Sequence, residues 1–506
     1  MHAAASHYEQ GLRLSAEGRH LDAIWSYEAA LAAHPNDPKI LFALGNTAAA
    51  LGLPQPAENF FRRVLAAEPQ RIEALVNLAN LLRSNGQFAA AIALLEPAAL
   101  REPQSTPLLL TLGSAWREMG DEANAVRCYR EALAINPHYV PALANLADLQ
   151  CDRGERHEAR ALYDKALKAE PRNAQARLNR AVLHFLNGDL KDGWRDYEAR
   201  LFVPGKVPSL IKASSEQRLG IWTGGTLKRT RLLVRSEQGV GDQILFSSLI
   251  PELACRAGSE GGSVLLECEA RLVPLFTRSF AGVSVKPAIL RTVNGTLSAD
   301  YAWLKQAGGA TATIMMGSLP RYLRPSLKSF PAPHAFLLPD EEEKARWKNI
   351  FGSSPAIGLC WRSGKSGGHR SIQYAPLEIW ADFIRDLPAT LVSAQYDATH
   401  EEILRLESLS GRKLIVPEGI DQKNELDRSC AMLSALDALV SAPTAVSWLG
   451  AGAGVPTFKI LYDTSWTALG QSFEPFAPDC VCVMPRTRGD WADTFHKART
   501  LVIARL

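Results

Sequence analysis

The chain has 506 residues, 47% of them apolar and 22% charged, and a formal net charge of +3. That length exceeds one ordinary core and predicts about three domains of a folded protein. The balanced charge, without a Lys/Arg run, argues against a nucleic-acid or acidic-membrane partner, and no window reaches the roughly 20 apolar residues of a membrane span.

The N-terminal residues lack a basic stretch followed by an apolar run, so no secretory signal is expected and the cytoplasm is the default location. The eight cysteines are scattered, without the paired CxxC spacing of a zinc site. Cys480 and Cys482 alternate on a predicted strand and read as small buried hydrophobes.

The first 200 residues repeat themselves. Prolines fall at 35, 69, 103, 137 and 171, and glycines at 18, 52, 86, 120 and 154, each 34 residues apart. Between each Gly and Pro sits a small residue and then a large one: Ala23 and Tyr27, Ala57 and Phe61, Ala91 and Leu95, Ala125 and Tyr129, Ala159 and Tyr163. Another small residue (Gly11, Gly45, Ala79, Gly113 or Ala147) precedes each glycine. This period and pattern closely resemble the tetratricopeptide repeat. Each unit is then two helices, with Gly in the turn between them and Pro stopping the second. The large residue is expected to fill the space between units, which stack because none buries its own apolar face. A sixth, altered unit keeps Ala181, Gly188 and Tyr197 but carries Gly193-Trp194 and no closing Pro, as terminal units do. The array is expected over residues 1–201.

Asn46, Asn77, Asn80, Asn145 and Asn179 fall on groove-facing positions of the first helices. An amide both donates and accepts, so a row of them suits an extended peptide backbone. The row resembles the asparagine ladder of O-linked N-acetylglucosamine transferases. The alternative is that Asn simply suits a wet helix face.

Residues 202–229 contain Pro, Gly and Ser without helical period and read as a junction. After them, short apolar runs alternate with helical patterns. RLLVRS, SVLLEC and the YAWL region are expected strands, and IGLCW, TLVSAQ, KLIV, ALVSA and TFKILY continue the series. This predicts two parallel α/β domains, over 230–335 and 336–506. The C-terminal tail has a helical stripe that is expected to cross back to the first sheet.

Three motifs carry candidate chemistry. In LLVRSEQGVGDQILF a strand meets the turn Gln238-Gly239-Val240-Gly241-Asp242 and a helix starts. Asp242 sits at the carboxyl end of a strand, where open sheets bind ligands, and also suits a helix N-terminus. In AIGLCWRSGKSGGHRSIQ a strand leads into Arg362, Ser363, Lys365, Arg370 and Ser371, cations and hydroxyls that suit a phosphate or only a solvated loop. In ALVSAPTAVSWLGAG a strand ends at Ser441 and a helix starts near Thr444, whose hydroxyl and N–H are expected to be free for phosphate. Trp448 offers a face for a base or sugar, and Asp463 follows the next strand as a weaker candidate.

The EQGVGDQILF motif with the following Pro251 and Leu253, together with GWRDYEARL and GIWTGG, resembles the bacterial heptosyltransferase-like glycosyltransferases, and among them the branch in which tetratricopeptide repeats come first. The resemblance implies two doubly wound Rossmann-like domains in the GT-B arrangement. It also implies a metal-independent inverting transfer with Asp242 as general base, and donor phosphates held by the Arg362–Ser371 loop. The chain has Pro443 and Trp448 where that family has Asp and His, implying a changed donor or a lost activity. Resemblance to repeat-bearing flagellin glycosyltransferases of alphaproteobacteria implies a flagellin acceptor and a CMP-nonulosonic acid donor. A UDP- or ADP-sugar is the alternative. No cofactor beyond the nucleotide-sugar is expected. The competing expectations are a lipopolysaccharide sugar transferase and a non-catalytic repeat scaffold.

Overall fold

The computed structural model of the protein describes residues 2–203, 209–210, 219–293, 296–332, 334–364 and 372–506. It forms two compact units: Met1–Arg180 with Arg291–Ser298, and Ala181–Leu290 with Ala299–Leu506. Among the described residues, no helix is long and apolar enough to cross a membrane.

The first unit is built of paired helices, from His2–Ala16 and His20–Ala33 through Val140–Asp152 and Arg156–Ala169. Each periodic glycine, from Gly18 to Gly154, takes φ between 72° and 90°, which L-residues with a side chain enter at a cost. Each periodic proline lies two residues beyond a second helix, as Pro35 does after Ala33. The large residue does more than fill the space between units. A Cβ on Gly45 would stand 2.6 Å from the Phe61 ring of its own unit, and one on Gly113 would stand 2.7 Å from Tyr129. The absent side chain is therefore the socket for the ring. Tyr27 also packs with Ile40, Ala43 and Leu44 of the following unit.

The compact unit ends at Arg180, inside the helix Ala174–Leu186, so the sixth repeat runs on into the second unit. Its aromatic residues pack there. The tilted rings of Phe185 and Trp194 have centroids 4.3 Å apart, Tyr197 lies 5.4 Å from Trp466, and Trp194 lies 6.2 Å from Phe476. The Trp194 indole also donates to the Arg324 carbonyl at 2.9 Å. These residues of the sixth repeat belong to the core of the second unit.

Among the described residues, two sheets lie wholly in the second unit. The first has strand order Gly220–Ile221, Ala312–Met315, Arg231–Arg235, Ser263–Cys268, Ser284–Pro287, all parallel. Its edge strand comes from the expected junction. There Gly224, at φ 87°, leaves room for Tyr322, whose ring a Cβ would meet at 2.6 Å. The YAWL region is a correction. Asp300 accepts from the Ala302 N–H at 2.9 Å, a short helix, Trp303–Gln306, follows, and the strand is Ala312–Met315 instead.

The second sheet has seven strands, with Ala356–Cys360, Ala438–Ser441 and Thr457–Ile460 at its centre. All its pairings are parallel except that of the edge strand Phe473–Glu474. The final helix, Trp491–Ile503, does not return to the first sheet. Phe495, Ala498 and Val502 pack with Trp380 and Phe383 in the core of the second sheet, where the edge-on rings of Trp380 and Phe495 stand 5.0 Å apart. Cys480 and Cys482 are buried, as their alternation predicts.

Candidate functional site

The strand Arg231–Arg235 runs into Ser236-Glu237-Gln238-Gly239, and the helix Val240–Ser247 begins. Three anchors hold this turn. Glu267, from the neighbouring strand, accepts hydrogen bonds from Ser236 and, at 2.7 Å, from Tyr301 Oη. Arg200, from the sixth repeat, grips Glu237 through Nε at 2.9 Å and Nη2 at 2.6 Å. That Nη2 also reaches Ser318 Oγ at 2.8 Å, and the Gly317 N–H donates to Glu237 at 2.9 Å. Gln238 Nε2 donates to Tyr197 Oη at 3.0 Å. Gln238 sits at φ 63°, a left-handed conformation that costs a non-glycine residue about 1–3 kcal/mol and persists only where its surroundings impose it.

Gly239 is the N-cap in an extended conformation open to any residue. A Cβ on it would lie 3.8 Å from Asp242 Oδ2, so the carboxylate leans back over the helix N-terminus, where the helix dipole favours a negative charge. Asp242 is half-buried, and its charge helps burial push the Tyr197 phenol up. At Gly241 helices that follow strands of the two sheets meet. A Cβ there would stand 3.5 Å from Ala445 Cα and 3.7 Å from Trp448 Cδ1. The N-terminal turn of the acidic helix thus touches the N-terminal turn of the helix Ala445–Gly452, and both follow the carboxyl ends of parallel strands.

The side chains expected to hold a donor are arranged otherwise. Arg362 Nε and Nη2 bind the two oxygens of Glu402 at 2.6 and 2.7 Å, and Nη1 binds Asp397 at 2.9 Å. Its cation is committed to protein carboxylates. Thr444 is the N-cap: its hydroxyl accepts from the Val446 N–H at 3.3 Å, and its own N–H donates to Ala442. The expected free hydroxyl and N–H are therefore occupied. Ser441 is fully buried, with its hydroxyl on the Ala442 carbonyl. Trp448 is 7% exposed, and Lys459 Nζ lies 3.8 Å above its ring. Lys459 is itself buried and paired with Glu474, whose charge holds its pKa up against the effect of burial. One face of Trp448 is thus closed to a base or sugar. Asp463 accepts from the Thr464 N–H at 2.7 Å and lies 3.5 Å from Arg488 Nε. Ser363 is half-buried, and Lys365, Arg370 and Ser371 lie outside the described residues.

Arg200, Glu237 and Glu267 were missed as anchors by the sequence reading. Arg200 and Glu237 stand 37 residues apart, in GWRDYEAR and SEQGVGD, and no rule of periodicity pairs them.

In the first unit the asparagines stitch neighbouring repeats. Asn77 Nδ2 donates to Asn46 Oδ1 at 2.7 Å, Asn145 to Ser114 Oγ at 3.2 Å, and Asn179 to Asp148 Oδ1 at 3.0 Å, each to the residue 31 positions before. Asn80 accepts from Arg83 at 2.7 Å. Asp148 also accepts from Tyr163, and burial pushes its carboxyl up.

Family models described as tetratricopeptide repeat match residues 14–71, 48–115, 106–139 and 145–201. The chain therefore carries tetratricopeptide repeats followed by parallel-sheet α/β structure. Protein FlbA of Caulobacter vibrioides is 30% identical over 324 residues, which cover 63% of this chain and 53% of that protein. The chain thus spans about half the length of this curated relative. The aligned stretch is longer than the 201 residues expected of the repeat array, so the likeness reaches into the α/β part. Among solved structures, a thermophilic TPR protein of Thermus thermophilus is 28% identical with a TM-score of 0.32, covering 36% of this chain and 98% of that one. MamA protein is 25% identical with a TM-score of 0.30, covering 34% of this chain and 94% of that one.

Proposed function

We propose that this repeat-bearing chain is an inverting, metal-independent protein O-glycosyltransferase. Its repeats recruit a protein acceptor, and its two α/β sheets act in the GT-B manner on a nucleotide-sugar. The observation that carries the reading is the meeting of Gly241 with Ala445 and Trp448. It sets an acidic helix turn from one parallel sheet against a helix N-terminus from another, at strand ends where such sheets take ligands. Asp242, beside that contact, is the general base for a Ser or Thr hydroxyl, which it must approach within about 3 Å. Flagellin is the proposed acceptor, following the family resemblance, and a CMP-linked nonulosonic acid or a UDP- or ADP-sugar is the donor. The asparagine row spends one N–H of each amide at 77, 145 and 179 on the neighbouring repeat. Its remaining polar atoms are proposed to hold the acceptor backbone.

One observation favours a second reading, that of a repeat scaffold with a non-catalytic α/β part. Arg362, Thr444 and Trp448 are all engaged by protein groups. Thermal-shift screening against UDP-, ADP-, GDP- and CMP-sugars separates the two readings. Stabilisation by one nucleotide class supports the transferase and names its donor, and a flat response to all four favours the scaffold.

A further inference from the structure

At the carboxyl end of the first sheet, on the face that also carries Leu233 and Leu265, three polar side chains form a chain of contacts. Arg235 Nε donates to Tyr301 Oη at 2.7 Å, and that hydroxyl donates to Glu267 Oε2 at 2.7 Å. The guanidinium carbon lies 5.2 Å from the Tyr301 ring centre. Glu267 is 2% exposed, and Arg235 is half-buried at the last position of its strand. Nε is thereby fixed, while Nη1 and Nη2 of Arg235 have no partner among the described residues. The guanidinium plane is pre-set by the buried carboxylate behind it, and its outer N–H groups are held ready for a two-point contact. Such a fork matches the oxygens of a carboxylate or phosphate.

We infer that Arg235, oriented by Tyr301 and Glu267, forms an oxyanion-binding site that takes a carboxylate or phosphate group of a substrate. The site lies at the strand end just before the turn that leads to Asp242, seven residues on, and binds an anion whether or not a sugar is transferred. The same chemistry occurs in an acidic acceptor side chain and in an acidic sugar.

Isothermal titration of the full chain with inorganic phosphate, with acetate and with free N-acetylneuraminic acid tests the site. Binding of at least one of these is expected, weakened about tenfold or more in Arg235→Gln and less in Arg235→Lys, because a charged two-point hydrogen bond is lost. A preference for N-acetylneuraminic acid over acetate assigns the site to the sugar, and equal binding assigns it to an acceptor side chain. Tyr301→Phe should also weaken binding while keeping the cation. Unchanged affinity in Arg235→Gln, or no binding of any of the three, overturns the site. Should Arg235→Gln not fold, a selenate soak of crystals of the unaltered chain decides the matter: an anomalous peak at Arg235 supports the site, and its absence there refutes it. Neither measurement depends on a transfer reaction, so failure here leaves the proposed function standing, and the reverse also holds.

Discussion

Replacing Arg200 with Met removes one side of a buried ion pair. Arg200 is 2% exposed and Glu237 is 5% exposed, with two direct contacts at 2.9 and 2.6 Å between them. Met keeps most of the volume but leaves Glu237 with the Gly317 N–H at 2.9 Å as its remaining described donor. An uncompensated buried charge of this kind costs about 3–5 kcal/mol. In the double variant Arg200→Met with Glu237→Gln, the stranded charge is gone and the Gly317 contact can persist, so at least half of that loss should return. Urea unfolding followed by tryptophan fluorescence reads the right unit, because nine of the eleven tryptophans lie in the second unit and only Trp25 and Trp116 in the first. Hydrogen exchange should also quicken at Ser236–Gly239. A loss below about 1 kcal/mol, or an equal loss in the single and double variants, would refute the claim that this pair pins the acidic turn.

Two further perturbations probe other parts of the chain. Gly45→Ala places a methyl group 2.6 Å from the Phe61 ring and should cost the repeat unit about 1–3 kcal/mol, seen as a lower helix melting midpoint by circular dichroism; an unchanged midpoint contradicts the socket description. Glu402 is partly buried, which pushes its pKa up, yet the Arg362 N–H groups overcome this and hold it at about 2 against an ordinary 4.5. The unfolded chain therefore takes up this proton first, and the stabilisation is present above pH 4.5 and lost as pH falls toward about 2. Acid titration of unfolding should show a shallower slope in that window for Glu402→Gln, and an identical slope would count against the clamp.

The repeats were legible because one spacing constrains many residues at once. Gly18, Gly52 and their successors must adopt positive φ, and each proline must end a helix, so 34-residue periodicity fixes the fold of the first unit. Strand positions such as Leu232–Val234 and Ile357–Leu359 were legible from continuous apolar runs, as expected of parallel strands covered on both faces. YAWL misleads because Trp303 and Leu304 open a one-turn helix, Trp303–Gln306, in which tertiary context outweighs the strand propensity of the aromatic residues. Side-chain partnerships were the least legible. Arg362 looks like a phosphate ligand in sequence because Asp397 and Glu402, 35 and 40 residues downstream, give no sign of their proximity. Trp448 looks like a stacking platform because Lys459 lies on a separate strand. Composition of a loop reports which charges are present and leaves open which carboxylates already hold them.

In the proposed function Asp242, beside the contact between helices of the two sheets, removes the proton of an acceptor hydroxyl. Intact-mass measurement of flagellin co-expressed with the chain and its sugar-nucleotide supply tests this most directly. A mass gain of one or more sugar residues is expected with the unaltered chain, and none with Asp242→Asn that is folded and present at equal amount. The same gain with Asp242→Asn would contradict the role of that carboxylate, and no gain with either would contradict transfer to this acceptor.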